Sequence, residues 1–289
     1  MSVAESRRTA TLLIKCPDCK GLVRDIADFI WQYGGNILHA DHHIDGESQQ
    51  FFSRVEWDLR DFTLPAAEIG SSFQRIAEHR SMEWELRFSD EEPAVVIFVS
   101  RLDHCLIDLL HRWELGELRG KVAAVISNHV DLSGAAERHG ISYYHFPITS
   151  QNKRLQEAEE LKLLRSLQVD LVILARYMQI LSDEFVAGYA NRIINIHHSF
   201  LPAFVGSSPY ARAYERGVKL IGATSHYVTI IPDAGPIIDQ DVVRVTHRDT
   251  LNDLIRKGRD LERLVLARGV RLHLERRVLL YANKTVVFD

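Results

Sequence analysis

Residues 94–100 read AVVIFVS, six apolar residues closed by one hydroxyl. No face of such a run is polar, so a chain that makes it a strand must cover both sides of the sheet. Further short apolar runs lie at residues 121–127, 143–147 and 170–175, each separated from the next by helical or turn material. Buried strands alternating with helices predict an α/β fold, a mostly parallel, Rossmann-like sheet clad on both faces. In such sheets ligands bind in the crevice beyond the carboxyl ends of the strands. The polar residues that close each run are therefore the first place to look for chemistry.

Residues 192–241 crowd such groups together. Ile193 and Ile194 read as the end of a buried strand, and Asn195, His197, His198 and Ser199 follow at once. A second strand, residues 220–228, carries Thr224 and His226 at alternate positions and so on one face. Asp233 follows in a short loop before Gly235 and Pro236. An amide, two imidazoles and a carboxylate suit acyl transfer. Asn and protonated His donate to a developing oxyanion, and Asp or His takes the proton that the attacking group must lose. Taken singly, each of these residues is equally well a turn or capping residue.

The length of 289 residues suggests about two domains, and an apolar fraction of 46% is enough to build sizeable cores. A net charge of −4, with basic residues scattered rather than blocked, leaves no footprint for nucleic acid. No apolar run approaches the ~20 residues of a membrane span, and LLI near the N-terminus is too short for a signal-peptide core. Cys16, Cys19 and Cys105 make no disulfide framework. A cytoplasmic protein without nucleic-acid or membrane partners is expected.

In the N-terminal third, residues 9–15 read as a strand. Residues 21–33 read as a helix with Leu22, Ile26, Phe29 and Ile30 on one face, ended by Gly34 and Gly35. Residues 36–45 and 49–59 read as strands joined around Asp45 and Gly46, followed by a helix over 65–79 and a strand over 82–88. The order βαββαβ is the ferredoxin-like pattern. Cys16 and Cys19 lie where a redox motif could sit, but the surrounding order is not that of thioredoxin and no second cysteine pair exists for zinc. His39, Asp41, His43 and Asp45 alternate with Leu38, Ala40 and Ile44 and read as a solvated strand face, not a metal site. Glu91, Glu92 and Pro93 read as a linker, which divides the chain into residues 1–90 and 91–289. Residues 249–277 read as helical with Asp249 or Thr250 as N-cap, and residues 278–281 and 285–288 as a terminal hairpin.

Asn195, Ile196 and His197, then Ser199 and Leu201-Pro202-Ala203-Phe204, with Asp233 thirty-eight residues after Asn195, resemble the folate-dependent formyltransferase and deformylase superfamily. The doubled His197-His198, the string from Gly217 to Thr224 and Gly235-Pro236-Ile237-Ile238 are closest to its formyltetrahydrofolate deformylase branch. The resemblance implies hydrolysis of 10-formyltetrahydrofolate to tetrahydrofolate and formate, with formate passing to one-carbon metabolism and purine biosynthesis. It assigns catalysis to Asn195, His197 and Asp233, and supporting positions to Ser199, Thr224 and His226. Arg176, Tyr177, Met178, Gln179, Ile180 and Leu181, with Val228, would cradle the folate. No metal or redox cofactor is implied, the folate being substrate. Residues 8–88 resemble an ACT domain. That implies a homo-oligomer, dimer or tetramer, and an amino-acid effector near Asp18 and Gly21, faced by Gly35 and Asn36.

Relatives that formylate a ribonucleotide cradle its phosphate with a glycine-rich turn after the first catalytic strand. Here that turn, Ser100 to Cys105, has no glycine and carries Asp103. This favours water as acceptor over an amine, with an inactive amino-acid sensor as a third reading. The chain departs from the family at Val205, Ser207, Ser208 and Ala234, and in the run Ile230-Ile231-Pro232 before Asp233.

Overall fold

The computed structural model describes residues 8–203 and 209–288. Its backbone divides into two compact units. One contains the chain up to Glu91 with Arg276–Tyr281 and the residues from Val286; the other contains Glu92–Glu275 and Ala282–Thr285.

The first unit runs β1 (Thr9–Pro17), α1 (Leu22–Gln32), β2 (Asn36–Asp45), β3 (Gln50–Asp58), α2 (Ala66–His79) and β4 (Glu83–Phe88). Its antiparallel sheet has the order β2-β3-β1-β4, the ferredoxin-like arrangement expected. Strand periodicity explains why β1 is apolar on both faces. Ala10, Leu12, Ile14 and Cys16 meet Ile26, Phe29 and Ile30 of α1 and Ile69 and Phe73 of α2. Buried side chains of this size contribute about 1.5–3 kcal/mol each. Leu13 points the other way and packs with Phe52 of β3 on Val286 and Phe288. The strands of the terminal hairpin, β12 (Val278–Tyr281) and β13 (Lys284–Val287), thus serve this unit's core, although their position in the sequence suggested the other.

Two local readings change. At Asp45 the turn is longer than an Asp-Gly hairpin: the Asp45 carboxylate accepts from Glu47 and Ser48 N–H, and Gln49, not Gly46, takes the left-handed conformation. On β2 the face carrying Leu38, Ala40 and Ile44, read as inward, is exposed like the other face. A bulge at Ile37 to His39 accompanies this edge position.

The second unit runs β5 (Ala94–Val99), α3 (His104–Glu114), β6 (Lys121–Ser127), α4 (Ser133–Arg138), β7 (Tyr143–His145), α5 (Lys153–Ser166), β8 (Leu171–Leu174) and α6 (Asp183–Gly188). It continues with β9 (Ile193–His197), α7 (Pro209–Arg216), β10 (Leu220–Tyr227), β11 (Ile237–Arg244) and α8 (Leu251–Leu274). The sheet order is β11-β10-β9-β8-β5-β6-β7, parallel from β9 to β7 and antiparallel at β10 and β11. Every residue of β5 is buried, as its lack of a polar face requires. Thr250 starts α8 in a reciprocal capping box with Asp253. β11 has no counterpart in the sequence reading, because Asp239, Gln240 and Asp241 interrupt its apolar pattern. Arg268 of α8 pairs with both of those aspartates. No described helix is long and apolar enough to cross a membrane.

Candidate active site

The antiparallel register of β9 and β10 sets His226 opposite Asn195 and Thr224 opposite His197. Cross-strand partners share a face, so the alternation read in the sequence brings all four together. His226 bonds through Nδ1 to the Tyr227 carbonyl at 2.9 Å, so Nδ1 carries the proton and Nε2 is an acceptor. Burial holds its pKa below the ordinary value and keeps the ring neutral. Asn195 therefore donates from Nδ2 to His226 Nε2, at 3.2 Å, which leaves a second amide N–H for another acceptor.

His197 presents Nδ1 to Asp233 Oδ1 at 3.1 Å, while its buried Nε2 has no partner among the described residues. That His197 hydrogen bond holds the Asp233 carboxyl below the usual carboxylate range. Asp233 sits in the left-handed region at φ 56°, which Asp tolerates better than most residues. The turn behind it is forced by Gly235: a Cβ there would overlap the Tyr227 carbonyl, whose residue's N–H donates to Pro236 O at 2.9 Å. Asn283 donates to Ala234 O at 2.8 Å and further fixes this loop. Burial pushes His198 down to about 3, so the ring next to His197 is neutral.

These groups share a cavity of about 290 Å³ with the loop after β8. Arg176, Tyr177, Met178, Gln179, Ile180 and Leu181 all line it, together with Val228, Ile230 and Pro232. Met178, Ile180 and Ile230 are exposed at 57%, 67% and 59%, which gives the cavity an apolar rim suited to a flat aromatic ligand. The loop is tied down from below. Ser100 Oγ accepts from Met178 N–H at 3.0 Å, Glu157 accepts from Ser182 N–H at 3.1 Å, and Lys153 reaches the Ile180 carbonyl. Ser182 also caps α6 through Phe185 N–H.

Thr224 makes its hydrogen bonds to the turn after β9. Thr224 donates to Ser199 O at 2.8 Å and accepts from Leu201 N–H at 3.0 Å and Gln240 at 2.9 Å. Ser199 in turn donates to Ala203 O at 2.7 Å. The pair therefore shapes the turn after β9, and His226 stands 3.8 Å from Asp233. Phe204, Val205, Ser207 and Ser208 lie outside the described residues.

Sequence reading missed a buried cluster beside this cavity. Glu262 of α8 is 1% exposed and accepts from Tyr210 Oη at 2.5 Å, with His104 Nε2 at 2.8 Å and Arg176 Nε at 3.4 Å. Burial alone would raise its pKa, but His104, Arg176 and Tyr210 hold it below the ordinary value. The only advance signal was a glutamate in an otherwise apolar helical stripe. His104, Cys105 and Glu262 offer three donor atoms within 4.8 Å of one another. The guanidinium already against Glu262 opposes a cation there, and burial raises the Cys105 thiol well above its usual pKa.

In the first unit, Asp18 and Gly21 do not meet Gly35 and Asn36 within one chain. The register places Pro17 beside Gln50 and Asn36 beside Asp58, at opposite ends of β3. Eight strand steps separate those ends, roughly 27 Å. Gly35 is required by packing, since a Cβ would strike Ile30 and Phe62. Cys16 is buried and its thiol is pushed up to about 11, the setting of an inert cysteine.

Residues 94–270 match the family model described as formyl transferase. The chain is 57% identical over 280 residues to the formyltetrahydrofolate deformylase of Synechocystis, covering 97% of this chain and 98% of that protein. It is 46% identical to the deformylase of Bacillus subtilis over 96% and 93% of the two chains. The crystal structure of a formyltetrahydrofolate deformylase from Pseudomonas syringae superposes with a TM-score of 0.97 at 50% identity, over 99% of this chain and 96% of that one. Fold, motif and near-complete alignment agree, and the chain belongs to the formyltetrahydrofolate deformylases of the formyl transferase family.

Proposed function

We propose that the protein hydrolyses 10-formyltetrahydrofolate to tetrahydrofolate and formate in the cytoplasm, with Asn195, His197 and Asp233 as its catalytic groups. The observation that carries the reading is His197: one ring nitrogen is held by Asp233, and the other is buried on the cavity wall without a partner. With Nδ1–H given to Asp233, Nε2 is an acceptor in the neutral ring and becomes a donor to an oxygen on which charge develops when it too carries a proton. The spare Asn195 amide N–H supplies a second donor.

Water attacks the formyl carbon and the bond from that carbon to N10 breaks. N10 gains one proton, and formate leaves as the anion with release of the other. His197 donates through Nδ1 to Asp233, and a proton on Nε2 would be directed at the formyl oxygen. Asp233, anionic at neutral pH, accepts from the attacking water through its second oxygen. Its lowered pKa makes it a fixed charge and an acceptor during attack, with the proton passing onward to N10. Residues 177–181 and Val228 hold the pterin, while the Arg176 side chain turns to Glu262. The test is incubation of the full-length protein with 10-formyltetrahydrofolate alone: formate release supports the reading, and none overturns it.

The N-terminal unit serves assembly and amino-acid sensing in this reading. Its edge strand β2 is exposed on both faces, with Ile37, Leu38 and Ile44 open. Antiparallel pairing of two such edges would carry Gly35 and Asn36 of one copy to the Asp18 end of the other. A dimeric or larger mass, and an amino acid that shifts the melting temperature, are the outcomes expected.

A further inference from the structure

The cluster around Glu262 takes no part in the proposed chemistry, yet one member, Arg176, lines the cavity in which that chemistry takes place. Arg176 and His198 line the same cavity as His197 and Asp233. Behind them stand His104 at the start of α3, Tyr210 of α7 and Glu262 of α8. β5, β8 and β9 are adjacent in the sheet, so the cluster occupies the crevice beyond their carboxyl ends. In open α/β sheets that crevice is where a ligand is accommodated.

We infer that Arg176, His104, Tyr210 and Glu262 fill the acceptor side of this crevice and so set the acceptor specificity, admitting water to the formyl carbon and refusing an amine. The inference rests on the hydrolysis reading above.

Three observations support it. First, the filling is fixed in place. His104 and Tyr210 hydrogen-bond to a carboxylate that is 1% exposed, Arg176 pairs with it at 3.4 Å, and Tyr210 lies so close over Gly258 that a Cβ there would overlap its ring. That closeness lets its hydroxyl reach Glu262 four residues along α8. Second, Arg176 holds a left-handed backbone at φ 62°, a conformation that favours glycine. A long charged side chain is kept at a position whose backbone is easiest without one. Third, a buried ion pair is a weak source of stability compared with apolar packing of the same volume. A purely structural plug would be better built from apolar residues, whereas this one places a guanidinium and a neutral His198 along the reacting cavity.

An acceptor must reach the formyl carbon from a direction that the folate does not occupy. Water fits in a space the size of one small molecule. An amine brings its substituent with it, and in the inference that substituent is refused by the space that Arg176, backed by His104, fills. Transfer to an amine would form a bond from its nitrogen to the formyl carbon and break the bond to N10. The amine loses one proton and N10 gains one, giving a formamide and tetrahydrofolate.

The experiment uses full-length protein, 10-formyltetrahydrofolate carrying ¹³C in the formyl group, and excess glycinamide, with products resolved by ¹³C NMR as formate or N-formylglycinamide. Arg176→Gly suits the left-handed backbone and opens the cavity toward Glu262, whose carboxylate can accept from the amide of glycinamide. The wild type is expected to give formate in large excess over the formamide. Arg176→Gly should raise the ratio of formamide to formate at least about ten-fold, the scale on which a pocket discriminates by size. His104→Ala, which opens the same space from the other side, should shift the ratio in the same direction and stands in if Arg176→Gly shows no thermal unfolding transition. Wild-type protein that already formylates glycinamide in the variant's ratio overturns the inference. So does a folded variant that releases formate with an unchanged ratio. A wild type that releases no formate removes the hydrolysis reading instead.

Discussion

Replacing Asp233 by Asn is the sharpest perturbation of the proposed chemistry. Asn matches the shape of Asp, tolerates φ 56°, and keeps an oxygen toward His197 Nδ1. What it removes is the charge, which any carboxyl in the usual range carries at neutral pH and which the His197 N–H stabilises further in Asp233. Loss of a charged acceptor for the attacking water should lower kcat about 10²–10⁴-fold, the range general acid–base groups supply. At 1.36 kcal/mol per decade this is roughly 3–5 kcal/mol of barrier. KM should change little, since the loop over residues 176–181 is untouched. Stability should fall by less than about 1 kcal/mol, because Asp233 is partly exposed and its ion pair is screened. The sign of any pH effect is definite. A carboxyl with a lowered folded pKa stabilises above its unfolded value near 3.9 and loses that contribution as pH falls through the folded value, so the difference from wild type should vanish in acid. Single-turnover formate release with parallel melting curves makes the measurement. Asp233→Asn turning over within a few-fold of wild type would refute the role of the charge.

Other substitutions probe the supports of the site. Thr224→Val removes the side-chain partner of Ser199 O and Leu201 N–H, leaves the Gln240 amide with its bond to Leu201 O, and should cost about 1–3 kcal/mol by denaturant unfolding. Gly235→Ala places a methyl group on the Tyr227 carbonyl, so the loop must shift, and kcat should fall with little change in secondary structure by circular dichroism. Phe288→Ala removes a side chain that is 2% exposed beside Leu13 and Phe52, and should destabilise the first unit by about 3–5 kcal/mol, seen as an earlier unfolding transition. Burial and the neighbouring Glu157 raise Glu160 from 4.5 to about 8, so wild-type stability declines as pH rises between those values and levels off above them. Glu160→Gln should lack that decline, and its melting temperature relative to wild type should climb from pH 5 to 8.

How much of this was legible in the chain follows from the kind of signal each part carries. Unbroken apolar runs such as residues 94–99 can only be doubly covered strands, so the large sheet was readable. The alternation of Thr224 and His226 is likewise a property of any strand, and the register with Asn195 and His197 followed it. The destinations of hydrogen bonds were not legible, because they depend on what lies across a turn. Thr224 read only as a supporting position, and that it holds Ser199 and Leu201 emerges from the fold. Glu262 could not be seen as a centre, since its three partners come from α3, α7 and the loop after β8, far apart in sequence. Strand β11 was hidden by aspartates that only a partner on another element, Arg268, makes acceptable. The terminal hairpin was placed with its sequence neighbours. Its true company was set by the apolar second face of β1, and removing residues 1–90 alone would leave Val286 and Phe288 uncovered.

The claim that water is the acceptor and Asn195, His197 and Asp233 activate it meets its most direct test in ¹⁸O-enriched water. Under single turnover of 10-formyltetrahydrofolate by wild-type protein with no amine present, formate should carry one solvent oxygen, appear in step with tetrahydrofolate, and slow together with it in Asp233→Asn and His197→Ala. Formate without solvent oxygen, or tetrahydrofolate formed without formate, would contradict the account.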